Sequence, residues 1–215
     1  FQHAVNIMNQ LYCPWIFAIG DHDVVPPIYK PLSEDRSREK WFLDQSTAYS
    51  LKNNGKLYYS YDIKGYHFIA LYSLENLHTD PRWGSIFLNQ ISEEQIAWLK
   101  NDLSEHKKTN GIIVVIHHPQ WYVWQNWSTI HDILKSYPVI AVIAGHYHYD
   151  QNDGVLDGIQ YFTMGSTGGV IKDLDENSGG CYEYAVMNIK GRKLEEMHLY
   201  NVSTGNEVEI TPRKT

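Results

Sequence analysis

The sequence predicts an α/β domain in which helices flank a largely parallel sheet. Three observations carry that expectation. The runs 15–19, 112–116 and 139–144 are apolar at every position, and strands that are apolar on both sides belong to the covered centre of a sheet. Segments with apolar residues at helical spacing alternate with them. Each run ends abruptly in polar residues, and the carboxyl ends of strands are where open α/β sheets bind their ligands.

The chain has 215 residues, 43% of them hydrophobic and 20% charged. That is enough to bury one sizeable core and excludes disorder or a coiled coil for the whole chain. With no repeat or composition break in view, residues 1–215 read as one domain. No apolar run approaches the roughly 18 residues of a membrane span. The net charge of −7 comes with scattered Lys and Arg, so no basic stripe for nucleic acid is expected. Cys13 and Cys181 are too few for a disulfide framework and fit either two thiols or one bridge. The compartment is left open.

Taken in order, residues 2–11 read as a short helix stopped by Pro14, and 15–19 as the first buried strand. Pro26 and Pro27 mark a loop, a helix is expected around 38–43, and Asn53-Asn54-Gly55 reads as a turn. Runs 57–63 and 67–72 are strand-like, and Lys64-Gly65 between them fits a tight hairpin turn. Ser92-Glu93-Glu94-Gln95 is a capping-box pattern that starts a helix with Ile96, Leu99 and Leu103 on one face, ended by Asn110-Gly111. After strand 112–116, a loop bearing Trp121, Trp124 and Trp127 is expected, either packed on the domain or forming an aromatic wall for a ligand. Residues 129–137 read as a helix, 139–144 as the third buried strand, and 159–164, 182–189 and 194–202 as further strands.

Each of the three buried runs ends in a histidine cluster: Gly20-Asp21-His22-Asp23, His117-His118-Pro119 and Gly145-His146-Tyr147-His148. Imidazole and carboxylate are the common ligands of first-row metals. A lone histidine says little, but three clusters placed at three strand exits converge at one sheet edge if the strands are parallel. The other six histidines (His3, His67, His78, His106, His131, His198) fall in no such cluster and read as packed or solvated side chains.

The order Gly-Asp-His-Asp, His-His-Pro, Gly-His-x-His resembles the last three motifs of the calcineurin-like metallophosphoesterases, which include purple acid phosphatases, cyclic-nucleotide phosphodiesterases and exonucleases. Tyr58-Tyr59-Ser60-Tyr61, Gln95-Ile96-Ala97-Trp98-Leu99 and Met164-Gly165-Ser166 are also similar to stretches of that family. The resemblance implies a four-layer α/β/β/α sandwich with two metals, drawn from Mn, Fe and Zn, at the carboxyl edge of its sheets. It implies Asp21, His117 and His146 as ligands of one metal and His148 as a ligand of the other. His22 is implied as the residue assisting the leaving group or holding the phosphate, and Asp23 as orienting His22. His118 matches the ligand pattern less well than His117. The implied activity is hydrolysis of phosphate mono- or diesters by a metal-bound hydroxide.

Two departures qualify that expectation. The family's Asp-x-His and Gly-Asp motifs precede its third motif, yet the twenty residues before Asp21 contain no Asp. The N-terminal part of the sandwich is therefore expected to be missing, to be supplied by an upstream segment, or to be completed by a second chain. Residues 1–215 alone are then expected to hold one weak metal or none. The second departure is Asp21 where the family has Asn, which adds a negative charge to its metal site. A small phosphoester is the expected substrate, with a non-catalytic binding or scaffold module as the alternative.

Overall fold

The computed structural model describes residues 2–13, 15–24, 37–48, 55–80, 84–87, 90–171 and 180–212. The expected stop at Pro14, the loop at Pro26 and Pro27, and Asn53 and Asn54 of the expected turn lie outside these residues.

The amino-terminal part is helical: α1 Gln2–Met8, α2 Asp21–Val24 and α3 Ser37–Ala48. Between α1 and α2 the first apolar run departs from expectation. Residues 15–19 form no strand and join no strand ladder. Their backbone is tied instead to a side chain, since Phe17 N donates to the Tyr59 hydroxyl at 3.0 Å and that hydroxyl donates back to Phe17 O. An apolar run becomes a strand only if a neighbour supplies the ladder bonds that its N–H and C=O groups need.

The outer hairpin pairs β1 Tyr59–Ile63 with β2 Tyr66–Leu71. Lys64 (φ 51°) and Gly65 (φ 80°) turn it with two left-handed residues, the conformation that matches strand twist in two-residue loops. A small hairpin follows, β3 Leu77–Asp80 with β4 Gly84–Phe87. Helix α4 Glu93–Glu105 starts at Ser92, whose side chain accepts from Gln95 N. The reciprocal half of the expected capping box is made elsewhere: Ser92 N donates to Glu75 Oε2. The helix ends at His106, ahead of Asn110, because Asn110 N donates to Gly65 O and Gly111 already opens β5 Gly111–Ile116.

The expected tryptophan loop is a single 3-10 turn, Gln120–Tyr122, running into α5 Trp124–Leu134. That helix starts five residues before the expected position of 129, because Trp127, Ile130, His131 and Leu134 form its buried stripe. Trp121 and Trp127 are core residues, whereas Trp124 is 44% exposed. The remaining strands are β6 Val139–Ala144, β7 Gln151–Leu156, β8 Ile159–Thr163, β9 Glu183–Lys190, β10 Lys193–Asn201 and β11 Glu207–Val208.

One sheet has the order β1-β2-β5-β6-β8-β7, with β2, β5, β6 and β8 mutually parallel and antiparallel strands at both edges. A second sheet has the order β11-β10-β9. Ile69, Leu71, Ile112, Val114 and Val142 on one face of the large sheet pack with Leu99, Leu103, Trp127 and Leu134 of the helices. Ile113, Ile140, Ala141 and Phe162 on the other face pack with Ile189, Leu194 and Met197 of the small sheet. Helix, sheet, sheet is thus the layering around the centre, and central strands covered on both faces explain the unbroken apolar runs in β5 and β6. Cys13 and Cys181 are not bridged to each other; the first is exposed and the second buried. No helix among the described residues is long and apolar enough to cross a membrane.

Candidate metal centre

The parallel strands β2, β5, β6 and β8 bring four chain exits to one sheet edge: Tyr72-Ser73, His117-His118, Gly145-His146 and Met164-Gly165. Gly145 N donates to His117 O at 2.9 Å, which pins the β5 and β6 exits together. Asp21, at the start of α2, comes to the same place from the amino-terminal segment.

Asp21, His117, His118 and His146 converge there, with one potential ligand atom from each within 4.8 Å of all the others. Asp21 Oδ1 lies 3.0 Å from His117 Nε2, and Asp21 Oδ2 lies 3.6 Å from His146 Nδ1. The His118 ring sits 4.1 Å from that of His146 and 4.9 Å from that of His117, centroid to centroid. Gly20 makes room for this: a Cβ there would lie 2.6 Å from His117 Cε1. His146 has φ 71° and His148 φ 58°, the left-handed region that side chains other than glycine seldom adopt, and strain of this kind collects at functional sites.

Burial opposes ionisation of Asp21, but the bonds from His117 and His146 and their charges outweigh it and hold the carboxyl far below the ordinary range. Burial, helped by repulsion from His146 and His117, pushes His118 down to about 3. A neutral imidazole keeps the lone pair that a metal needs. Ser73 Oγ lies 2.7 Å from His118 Nδ1 and so fixes the orientation of that ring, as outer partners of metal ligands do. Three imidazoles and a carboxylate suit Mn, Fe or Zn, so the residues present fit a transition-metal ion.

Three of the four expected ligands therefore meet, and His118 joins them. His148 does not belong to this group; its Nδ1 lies 2.5 Å from Val170 O. Exposed His22 lines an open cleft with Ala4, Asp23, Arg38, Trp41 and Phe42. The orienting contact expected between Asp23 and His22 is replaced by another: Asp23 Oδ2 accepts from Gly20 N at 2.8 Å, closing the turn that carries Asp21 and His22. Ser73 was not singled out from the sequence. The signal was present, because Ser73 leaves a parallel strand at the same edge as the histidines. Tyr122, Tyr147 and Tyr149 stack beside the site at ring distances of 5.5 and 5.7 Å.

A histidine- and carboxylate-lined group at the carboxyl edge of a mostly parallel sheet defines an α/β protein with side chains that could hold a metal ion. The family follows from the sequence itself. The profile described as Calcineurin-like phosphoesterase matches residues 2–150, and the chain belongs to that family. Among curated relatives it is 27% identical over 174 residues to Purple acid phosphatase 21 of Arabidopsis thaliana, covering 72% of this chain and 36% of that protein. It is 30% identical over 159 residues to Purple acid phosphatase 18 of the same plant, covering 67% and 32%. A Probable cyclic nucleotide phosphodiesterase of Rhodococcus erythropolis is 27% identical over 176 residues, covering 77% and 49%. The chain thus spans between about a third and a half of the length of these relatives. A solved dimetal phosphatase from Danio rerio aligns with a TM-score of 0.45 at 16% identity, covering 72% of this chain and 58% of that one.

Proposed function

We propose that residues 1–215 form a single calcineurin-like domain carrying part of the active site of a metal-dependent phosphoesterase that hydrolyses small phosphate mono- or diesters. The convergence of Asp21, His117, His118 and His146 within 4.8 Å is the observation that carries this reading. These four residues hold one ion. His148 offers a second ion its Nε2, since a ring whose Nδ1 donates to a carbonyl presents its other nitrogen as the ligand. The remaining ligands of a two-metal site come from an upstream segment or from a second chain. Bound there, Mn, Fe or Zn ions supply Lewis-acid polarisation of the phosphoryl oxygens and acidify water.

The chain's own residues do the rest. His22 donates a proton to the leaving alkoxide oxygen, a role suited to an exposed imidazole at the mouth of a cleft. Asp23 keeps the Gly20–Asp23 turn closed, which places Asp21 and His22 side by side. Ser73 holds the His118 ring in register with its neighbours.

Metal content and hydrolysis of p-nitrophenyl phosphate and its bis ester, measured on the full-length natural protein, test this reading. The wild type is expected to hold transition metal and hydrolyse at least one ester. Loss of an outer partner alone costs about 10–100-fold in affinity or activity, so His117→Asn is expected to lose more than about 100-fold. A metal-free, inactive wild type, or a His117→Asn protein that keeps its activity, overturns the proposal.

A further inference from the structure

At the far end of β2 from the metal centre, about 20 Å away by strand rise, lies a second knot of titratable groups. Asp62 and His67 face each other across the β1–β2 hairpin. His67 points under α4 and is 1% exposed. Its Nδ1 lies 2.8 Å from Asp62 Oδ1 and its Nε2 lies 2.7 Å from Asp102 Oδ2. The His106 ring stacks on it at 3.7 Å with the planes 14° apart. His106 is anchored at both ends as well, with Nδ1 2.7 Å from Asp102 O and Nε2 3.4 Å from Asp62 Oδ2. Ser60 Oγ donates to the other Asp102 oxygen at 2.7 Å.

A carboxylate only accepts hydrogen bonds. A ring bonded to a carboxylate at each nitrogen must carry a proton on both, and only the imidazolium does so. The near-parallel ring planes also decide against a shared metal. Nitrogen lone pairs lie in the plane of their ring, so those of His67 and His106 run side by side and do not meet at a point.

We infer that Asp62, His67, Asp102 and His106 form a proton-operated clasp, in which His67 as an imidazolium fastens the outer hairpin to helix α4. The titratable groups facing His67 are Asp62 from β1, Asp102 from α4 and His106 from its C-cap, and its partner on β5 is the apolar Ile112. Burial opposes the charge, but the bonds to Asp102 and Asp62 outweigh it, and the affinity of His67 for its proton rises above the ordinary value. The sign follows. The stabilisation is complete below the free-histidine value of 6.5 and is lost as the pH rises through the higher folded midpoint.

Nitrogen NMR of the imidazoles in the full chain tests this. Both ring nitrogens of His67 are expected to be protonated at pH 6.5, with a titration midpoint above that value. Asp62 is exposed enough to replace safely, and Asp62→Asn is expected to lower the proton affinity of His67 about tenfold, as removal of a neighbouring opposite charge does. Amide exchange of the hairpin is expected to lose protection through the midpoint in the wild type, and to vary less with pH in the variant. A bare ring nitrogen at pH 6.5, or a midpoint unmoved by Asp62→Asn, overturns the clasp. Equimolar zinc that shifts His67 and His106 together, and fails to do so in Asp62→Asn, overturns it in favour of a metal site.

Discussion

Single atoms shape the candidate metal centre. The Ser73 hydroxyl is fully buried and its partner, His118, sits between two other imidazoles. Ser73→Ala removes this anchor without changing any donor. Metal affinity is expected to fall about 10–100-fold, read by competition with a chelator, while the fold is kept. Much of the centre was legible in the sequence. Asp21, His117 and His146 were marked by their positions after apolar runs, and they do converge. The membership of His118 was not legible. Two adjacent histidines leaving a strand begin on opposite faces, and only the path of the chain after β5 turns both toward one point. The left-handed φ of His146 and His148 was likewise invisible, since no glycine marks those positions.

At the scale of elements, Gln95 shows how one side chain is claimed by tertiary structure. In the sequence it completes a capping box with Ser92. In the fold its amide lies fully buried and clamps the exit of β2: Oε1 accepts from Tyr72 N, and Nε2 donates to Tyr72 O and to Glu75 Oε2. Glu75 in turn takes over Ser92 N. Gln95→Leu removes both hydrogen bonds from its amide to the backbone of Tyr72 and is expected to cost about 2–4 kcal/mol, measured as a lower urea midpoint at unchanged slope. The β1–β2 hairpin was legible because Lys64-Gly65 supplies the left-handed turn locally. Helix α5 starts earlier than the sequence predicts: the three tryptophans read as a loop, although Trp127, Ile130, His131 and Leu134 keep helical spacing. Strand β7 carries no apolar stripe that would mark it in the sequence, because all of its residues are exposed or half-buried.

For the whole molecule, the junction of the two sheets carries a pH dependence. Glu183 opens β9 at 2% exposure; Oε1 accepts from Gly165 N, and Oε2 has no hydrogen-bond partner among the described residues. Burial, then the nearby charge of Asp150, raises its pKa from 4.5 to about 7, against the opposing bond from Gly165. The folded state therefore holds a proton that the unfolded chain releases at lower pH. Stability is expected to fall between pH 4.5 and about 7, and to level off above. At about 1.36 kcal/mol per pKa unit the total is about 3 kcal/mol. Denaturant unfolding at pH 5 and pH 8 checks this, with Glu183→Gln expected to remove that part of the pH dependence and to be the more stable protein at pH 8.

The α/β class, the central strands β5 and β6, helix α4 and three of the four side chains that converge at the candidate metal centre were determined by the sequence itself. Each rests on local patterns, namely apolar period, turn residues, capping and strand exits, which act over a few neighbouring bonds. Only the tertiary structure decided the rest. It left residues 15–19 without a strand ladder, brought His118 and Ser73 into the centre, and drew Asp62, His67, Asp102 and His106 together from β1, β2 and the carboxyl end of α4. These outcomes depend on which distant group reaches a backbone or ring nitrogen first. That competition is settled by packing across tens of residues, and no local pattern encodes it.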